Sequence, residues 1–353
     1  MSHRSAARRR LMSTLTGRPG PTSARRRPAA AAAALVAGAL ALAGCTAADA
    51  ADGPTHVTVV LDWTPNTNHS GLYLALERGY FTDAGLEVDV VEPGETSGLQ
   101  MVAVGKAQFA YSVAEGLVPA REQGADVVSV ATVIEHNTSS LISLASAGIT
   151  RPRDLAGKRY GSYGSELESA LIRRLVECDG GDPDAVQMPP LTSDDFRIGL
   201  TAGQYDAAWV FDAWDTIRLR DVDGLDVTTL AFADHTDCIP DWYTPLVATS
   251  AELVEEDPAT VRAFVGALAH GYRDAMDEPD AAADALLAAA PELEPELVER
   301  SAAWLATRYA DDPAAWGRQD ARVWTDFVAF LQDNDLADEG FDTAAAWTDE
   351  FLP

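Results

Sequence analysis

Three features of this 353-residue chain predict an α/β fold of two lobes. Short β-branched runs alternate with helix-spaced segments from residue 55 onward, a second such series opens near residue 150, and beyond about residue 250 the pattern is almost purely helical. With a leader set aside, about 300 residues remain, enough for two lobes with full cores.

The leader comes first. Residues 1–45 hold eight Arg and no acid around an apolar stretch, Ala29 to Leu42, that runs into Leu42-Ala43-Gly44-Cys45. This resembles a bacterial lipoprotein signal peptide, which implies cleavage before Cys45 and a lipid on its sulfur. Fourteen apolar residues fall short of the roughly 20 that a membrane-spanning helix needs. Residues 46–54 then form a tether. All 55 acids lie in the mature chain against 18 Lys and Arg, a formal charge of −37. Such a field repels nucleic acid and anionic surfaces, so nucleic acid is excluded as a partner. Spacing does not decide whether Cys178 and Cys238 pair, and free thiols are expected.

Strands are expected at Val57–Leu61, Leu86–Val91, Phe109–Ser112, Val127–Ile134 and Ser140–Ala145, because these runs are short, β-branched and apolar. Helices fall between them near 70–78, 97–104 and 115–123. After the loop from Ile149 to Lys158 come a strand at Arg159–Gly161, a helix from Ser165 to Cys178, an extended piece at Gln187–Pro190, a helix near 193–202 and the strand Ala207–Phe211. Trp304, Trp316, Trp324 and Trp347 are spaced as core anchors of the helical region. Trp209, inside an apolar run, is assigned to the core.

The loop Asp62-Trp63-Thr64-Pro65-Asn66-Thr67-Asn68-His69-Ser70-Gly71 sits between a buried strand and an amphipathic helix, the place where open α/β sheets bind ligands. It offers an aromatic ring, two carboxamides and an imidazole. It has no Lys or Arg and no Gly-rich cradle, which argues against a phosphate ligand. The competing role is an Asn/Pro-rich turn whose side chains satisfy their own backbone.

The order of the motifs resembles a known family. Arg78-Gly79-Tyr80-Phe81, Gly85-Leu86-Glu87-Val88 and Asp154-Leu155-Ala156-Gly157-Lys158 resemble the type II periplasmic solute-binding proteins of ABC importers. The loop Asp62–Gly71, His136-Asn137-Thr138-Ser139, Tyr160-Gly161-Ser162-Tyr163-Gly164-Ser165 with Glu168, Trp209 with Trp214, Pro240–Pro245, and Gly317-Arg318-Gln319 before Trp324 resemble the branch that binds the pyrimidine precursor of thiamine, related to the fungal-type pyrimidine synthases. The likeness spans about 55–350. It implies a type II periplasmic-binding-protein-like fold with lobe 1 at 55–147 and 243–353, lobe 2 at 148–242, crossovers at 139–149 and 238–247, and ligand capture by hinge closure.

The likeness also implies a site. Trp63, Tyr163 and Trp214 would stack on an aminopyrimidine ring; Asn66 or Asn68 would read its donors and acceptors; and Glu168 would accept from its exocyclic amine. His69, Ser112, Asp241 and Tyr243 complete the expected set. Tyr163 stands where the family has Trp, Glu166 where it has Pro, and Asp212-Ala213 where it has Tyr-Gly, so the two acids were expected to tune which ring substituent is accepted.

The implied partners are an ABC permease and ATPase, with the lipid on Cys45 holding an expected monomer at the outer face of the cell membrane. No cofactor, metal or catalytic residue is expected. Sulfonate, nitrate or a riboflavin precursor remain alternative ligands. The alternative of another class, a pyrimidine synthase, would need a cofactor-bearing Lys and a Cys-rich iron motif, whereas the chain has only Lys106 and Lys158 and no clustered Cys.

Overall fold

The computed structural model describes residues 53–193 and 195–353, so Cys45, the leader and most of the tether lie outside the described residues. The alternating pattern forms β1 (Thr55–Val60), α1 (Ser70–Glu77), α2 (Tyr80–Asp83), β2 (Leu86–Val91), α3 (Gly98–Ala103), β3 (Phe109–Ser112), α4 (Ala114–Glu122), β4 (Val127–Thr132) and β5 (Ser139–Leu144). The second series gives β6 (Tyr160–Gly161), α5 (Glu166–Cys178), α6 (Phe196–Thr201), β7 (Ala207–Phe211), β8 (Val227–Ala231) and β9 (Leu246–Ser250). The helical region is α7 (Ala251–Glu256), α8 (Pro258–Asp277), α9 (Pro279–Ala289), α10 (Pro295–Leu305) and α11 (Ala321–Asp333).

These strands make two sheets. The first runs β2-β1-β3-β9-β4 and the second β6-β7-β5-β8. β1 pairs in parallel with β2 and β3, as the helices between them require, and β9 returns antiparallel to β3 and β4. β5 is hydrogen-bonded to β7 and β8 in the second sheet. This corrects the expected crossover at 139–149: the chain leaves the first sheet before Ser139, upstream of the boundary drawn at 147/148. β8 and β9 had no counterpart among the expected strands, and Gln187–Pro190 contributes only isolated bridges, Arg159 to Gln187 and Ser162 to Pro190.

The first sheet is covered by α1 and α8, which approach closely because small residues face each other. A Cβ on Gly71 would lie 2.4 Å from the Tyr272 ring, and one on Gly271 would lie 2.0 Å from the Gly71 carbonyl. The last residue of the sequence motif is therefore a packing requirement. Of the four expected Trp anchors, Trp316 and Trp324 are fully buried, while Trp304 and Trp347 are half-buried against the same cores. Trp209 is in the core, edge-on to Trp242.

The expectation of free thiols is overturned. Cys178, at the end of α5, and Cys238, 60 residues later, form a disulfide with Cα atoms 5.8 Å apart. Only the tertiary fold brings them together, which is why spacing could not show it.

Candidate ligand-binding site

A cleft of about 1000 Å³ opens between residues that follow strands of the first sheet and residues that follow strands of the second. From the first sheet come Asp62, Trp63, Asn66 and Asn68 after β1, and Ser112 and Glu115 at the end of β3 and the start of α4. From the second come Tyr163 after β6, Phe211 at the end of β7, and Trp214 and Asp215 just beyond it. Trp63 is 58% exposed and Tyr163 56% exposed. Exposed aromatic rings gathered in one concavity mark a binding surface, unlike single exposed apolar residues.

The first loop is organised by its own polar side chains. Asn66 Oδ1 accepts from Asn68 N–H at 2.9 Å and its Nδ2 donates to the Thr64 carbonyl at 3.0 Å, so Asn66 caps the short turn Thr67–His69. The Asn68 carboxamide has no such partner and faces the cleft. His69 does not reach the cleft. It is fully buried, its Nδ1 accepts from Asn66 N–H at 3.2 Å, and its Nε2–H donates to Asp62 Oδ1 at 2.7 Å. The imidazole thus fixes the loop from behind and sets Asp62, which does line the cleft.

Distant segments fasten the same loop. Tyr272 Oη donates to the Asn68 carbonyl at 2.6 Å and Tyr309 Oη to the Thr67 carbonyl at 2.5 Å. Thr67 Oγ1 donates to Ser301 Oγ at 2.5 Å, and Ser301 Oγ donates to the Ala213 carbonyl. Ser301, on α10, therefore links the loop bearing Trp63 to the segment bearing Trp214.

Glu168 is also removed from the expected contact set. It is 1% exposed, and four donors converge on its carboxylate: Tyr160 Oη at 2.7 Å, Ser162 Oγ at 2.6 Å, Tyr163 N–H at 3.2 Å and Gly164 N–H at 3.1 Å. Its backbone N–H is capped by Ser165 Oγ at 3.0 Å. Gly164, at φ +86°, provides the left-handed turn that swings Tyr163 outward. The carboxylate holds the loop and the tyrosine ring meets the ligand space.

Asp241 and Tyr243 belong to the second crossover and do not line the cleft. Asp241 accepts from Asn137 N–H at 3.0 Å and lies 2.7 Å from His136 Nδ1, tying the two crossovers together. That contact raises the His136 pKa, against a lowering by burial. Tyr243 is buried against Trp324; its carbonyl accepts from Ala114 N–H and its hydroxyl from Asp320 N–H. Glu166 is exposed on α5, and Asp212 accepts from Ser140 and Thr216 hydroxyls at 2.6 Å each, so neither acid tunes the cleft as expected.

Several lining residues were not among those expected from sequence: Asp62, Glu95, Glu115, Phe211 and Asp215. Phe211 ends a strand with its ring in the cleft, after four residues that are all buried, so no alternation along the strand marks it. Glu115 is one acid among 55, and nothing in its spacing marks it. Burial pushes its carboxyl up to about 7. Among the described residues, the charged ones lining the cleft are Asp62, Glu95, Glu115 and Asp215, all acidic.

The NMT1/THI5-like family model matches residues 66–282. A formylaminopyrimidine-binding protein of Halalkalibacterium halodurans is 29% identical over 84% of this chain and 92% of that protein. A 4-amino-5-hydroxymethyl-2-methylpyrimidine phosphate synthase of Legionella pneumophila is 24% identical over 85% of this chain and 93% of that protein. The periplasmic aliphatic sulphonate-binding protein of Escherichia coli superposes with a TM-score of 0.65 at 17% identity, covering 83% of this chain and 97% of its own, a likeness of fold alone. The chain belongs to the NMT1/THI5-like family and has the periplasmic-binding-protein fold.

Proposed function

We propose that this member of the NMT1/THI5-like family is the extracytoplasmic solute-binding protein of an ABC importer and that it holds an aminopyrimidine of the thiamine-precursor type between its two sheets. The lining of the cleft carries this reading. Aromatic faces at Trp63, Tyr163, Phe211 and Trp214 stand beside the Asn68 carboxamide, and among the described residues every charge is negative. Among the described residues, a sulfonate, nitrate or phosphate entering there meets four acids and no Lys or Arg, an arrangement that repels anions. An aminopyrimidine has two stackable faces and an edge of N–H donors beside ring-nitrogen acceptors, so it complements the same lining.

Binding rather than catalysis is favoured by where the two lysines lie. Lys158 Nζ donates to the Ala147 carbonyl at 2.7 Å, and neither Lys158 nor Lys106 lines the cleft. The mechanism we favour is hinge closure. The sheets would act as lobes, with crossovers near 133–138 and 240–245 braced by Asp241. A cleft of about 1000 Å³ is at the wide end for small-molecule sites, so a single heterocycle touches both walls only when the lobes approach. Closure would present the form that the permease and ATPase act on, and the lipid proposed on Cys45 would hold the protein at the outer membrane face.

A thermal-shift panel tests the assignment. Formylaminopyrimidine or 4-amino-5-hydroxymethyl-2-methylpyrimidine at about 100 times Kd adds roughly 2.7 kcal/mol of stability and raises the melting point by several degrees. Taurine, nitrate and riboflavin leave it unchanged. A shift with one of those three and none with a pyrimidine would overturn the ligand and keep the fold.

A further inference from the structure

Glu115 stands in the first turn of α4, beyond Ser112, and lines the cleft. Its Oε2 is shut off from solvent and has no hydrogen-bond partner, and the indole N–H of Trp242, on the second crossover, is buried in the same condition. Trp242 lies close enough to favour the ionised carboxylate but outside hydrogen-bonding geometry. A carboxyl at a cleft wall with one oxygen sealed and hydrogen-bonding capacity unfilled costs free energy, and such groups concentrate where a ligand completes them.

The charges around Glu115 narrow what that ligand is. Asp62 approaches from the loop after β1 and adds to the rise in the Glu115 pKa, while Glu95 and Asp215 line the same cavity from the segments after β2 and β7. Burial is the main cause of the rise to about 7; the backbone N–H of Glu115 and the Trp242 indole oppose it. Near neutral pH the side chain is therefore divided between acid and carboxylate, and among the described residues no cation in the cavity wall fixes it in the ionised form.

We propose that Glu115 determines specificity by holding the protonatable ring nitrogen of the ligand with its cleft-facing oxygen, Oε1, through a hydrogen bond that carries one proton. The inference rests on the aminopyrimidine assignment and deepens it. Oε1 faces the ring nitrogen across a single proton, carried by either partner, while Oε2 stays shut off from the cleft. In acid both partners are protonated and donor opposes donor; in alkali neither is, and two lone pairs face each other. Affinity is then bell-shaped in pH, with limbs that belong to the pair.

Calorimetric titration of 4-amino-5-hydroxymethyl-2-methylpyrimidine from pH 5 to 9 into wild type, E115Q and E115L tests this. Wild-type affinity peaks near neutrality and falls about tenfold or more by pH 9. E115Q keeps the donor and acceptor geometry through its carboxamide, so it binds within about tenfold of wild type at pH 7 and loses the alkaline fall. E115L loses tenfold or more at pH 7. Wild-type affinity and profile in E115L overturn the inference while leaving the ligand assignment standing, and so does an alkaline fall that persists in E115Q. Should E115L fail to fold, the E115Q profile decides alone. Failure of wild type to bind any aminopyrimidine overturns the parent assignment and this inference with it.

Discussion

Trp63 and Tyr163 enter the cleft from similar settings, each on a loop that leaves a strand with a helix behind it, but the two loops are held by bonds of different reach. The loop of Trp63 is tied to Tyr272, Ser301 and Tyr309, more than 200 residues away in sequence. The loop of Tyr163 is tied by Glu168 to Tyr160, Ser162 and Gly164, all within eight residues. The first wall therefore depends on the assembled helical region, whereas the second carries its own clamp. The second sheet adds a covalent staple, Cys178 to Cys238, that joins α5 to the segment entering the second crossover. The first wall adds ties from the helical region to its local bonds, whereas the second combines the Glu168 clamp with backbone bonds to 189–191.

Removing the staple tests the independence of the second wall most strongly. Cys178→Ser with Cys238→Ser opens a loop of 60 residues and costs about 4 kcal/mol on the chain-entropy account. Amide exchange should rise in β5 to β8 and stay unchanged in β1 to β3; uniform loosening of both sheets would contradict the division.

Glu168→Ala follows, at roughly 3 kcal/mol, because the buried hydroxyls of Tyr160 and Ser162 lose their acceptor. Faster exchange should be confined to 160–165. Ligand affinity should fall only through the displaced Tyr163 ring, so Glu168→Ala combined with Tyr163→Ala should bind no worse than Tyr163→Ala alone. A further loss in the double variant would restore Glu168 as a direct contact.

Thr67→Val removes one donor from Ser301 and costs about 1 to 2 kcal/mol. Its signature is reach. Exchange should quicken in α10 and at 212–216 as well as in the loop itself, since Ser301 also holds the Ala213 carbonyl. A purely local response would put the two walls on the same footing.

How much of this was legible follows from the same distinction. Trp63 could be read because its ring follows a buried strand on a loop of polar residues, whereas Tyr163 and Trp214 were reached through the family resemblance. The capping role of Asn66 was also within reach of its local spacing. His69 and Glu168 were misassigned because a polar residue beside a binding loop looks the same whether its partners lie in the ligand or behind the backbone. Those partners, Asp62 and the Tyr160–Gly164 turn, lie within eight residues, yet spacing does not show that each loop folds back on them. Spacing shows as little of Cys178 with Cys238, of β5 joining the second sheet, and of Glu115, whose significance is burial at a cleft wall. The strands β8 and β9 are short, and β9 runs straight into the helical region that dominated the sequence pattern there.

The smallest expected effect on the fold is also the most specific to the cleft. Trp63→Ala and Tyr163→Ala should leave thermal stability without ligand unchanged, since both rings are exposed, and each should weaken aminopyrimidine binding by about 1 to 2 kcal/mol. A melting point lowered by several degrees would place either ring in the core instead.

The central claim is that one ligand bridges both walls and draws them together. Small-angle X-ray scattering of the purified protein, titrated with formylaminopyrimidine to saturation, measures this directly. The account predicts a fall in radius of gyration that saturates with ligand and is lost in Trp63→Ala with Tyr163→Ala; saturable binding with an unchanged radius of gyration would contradict it.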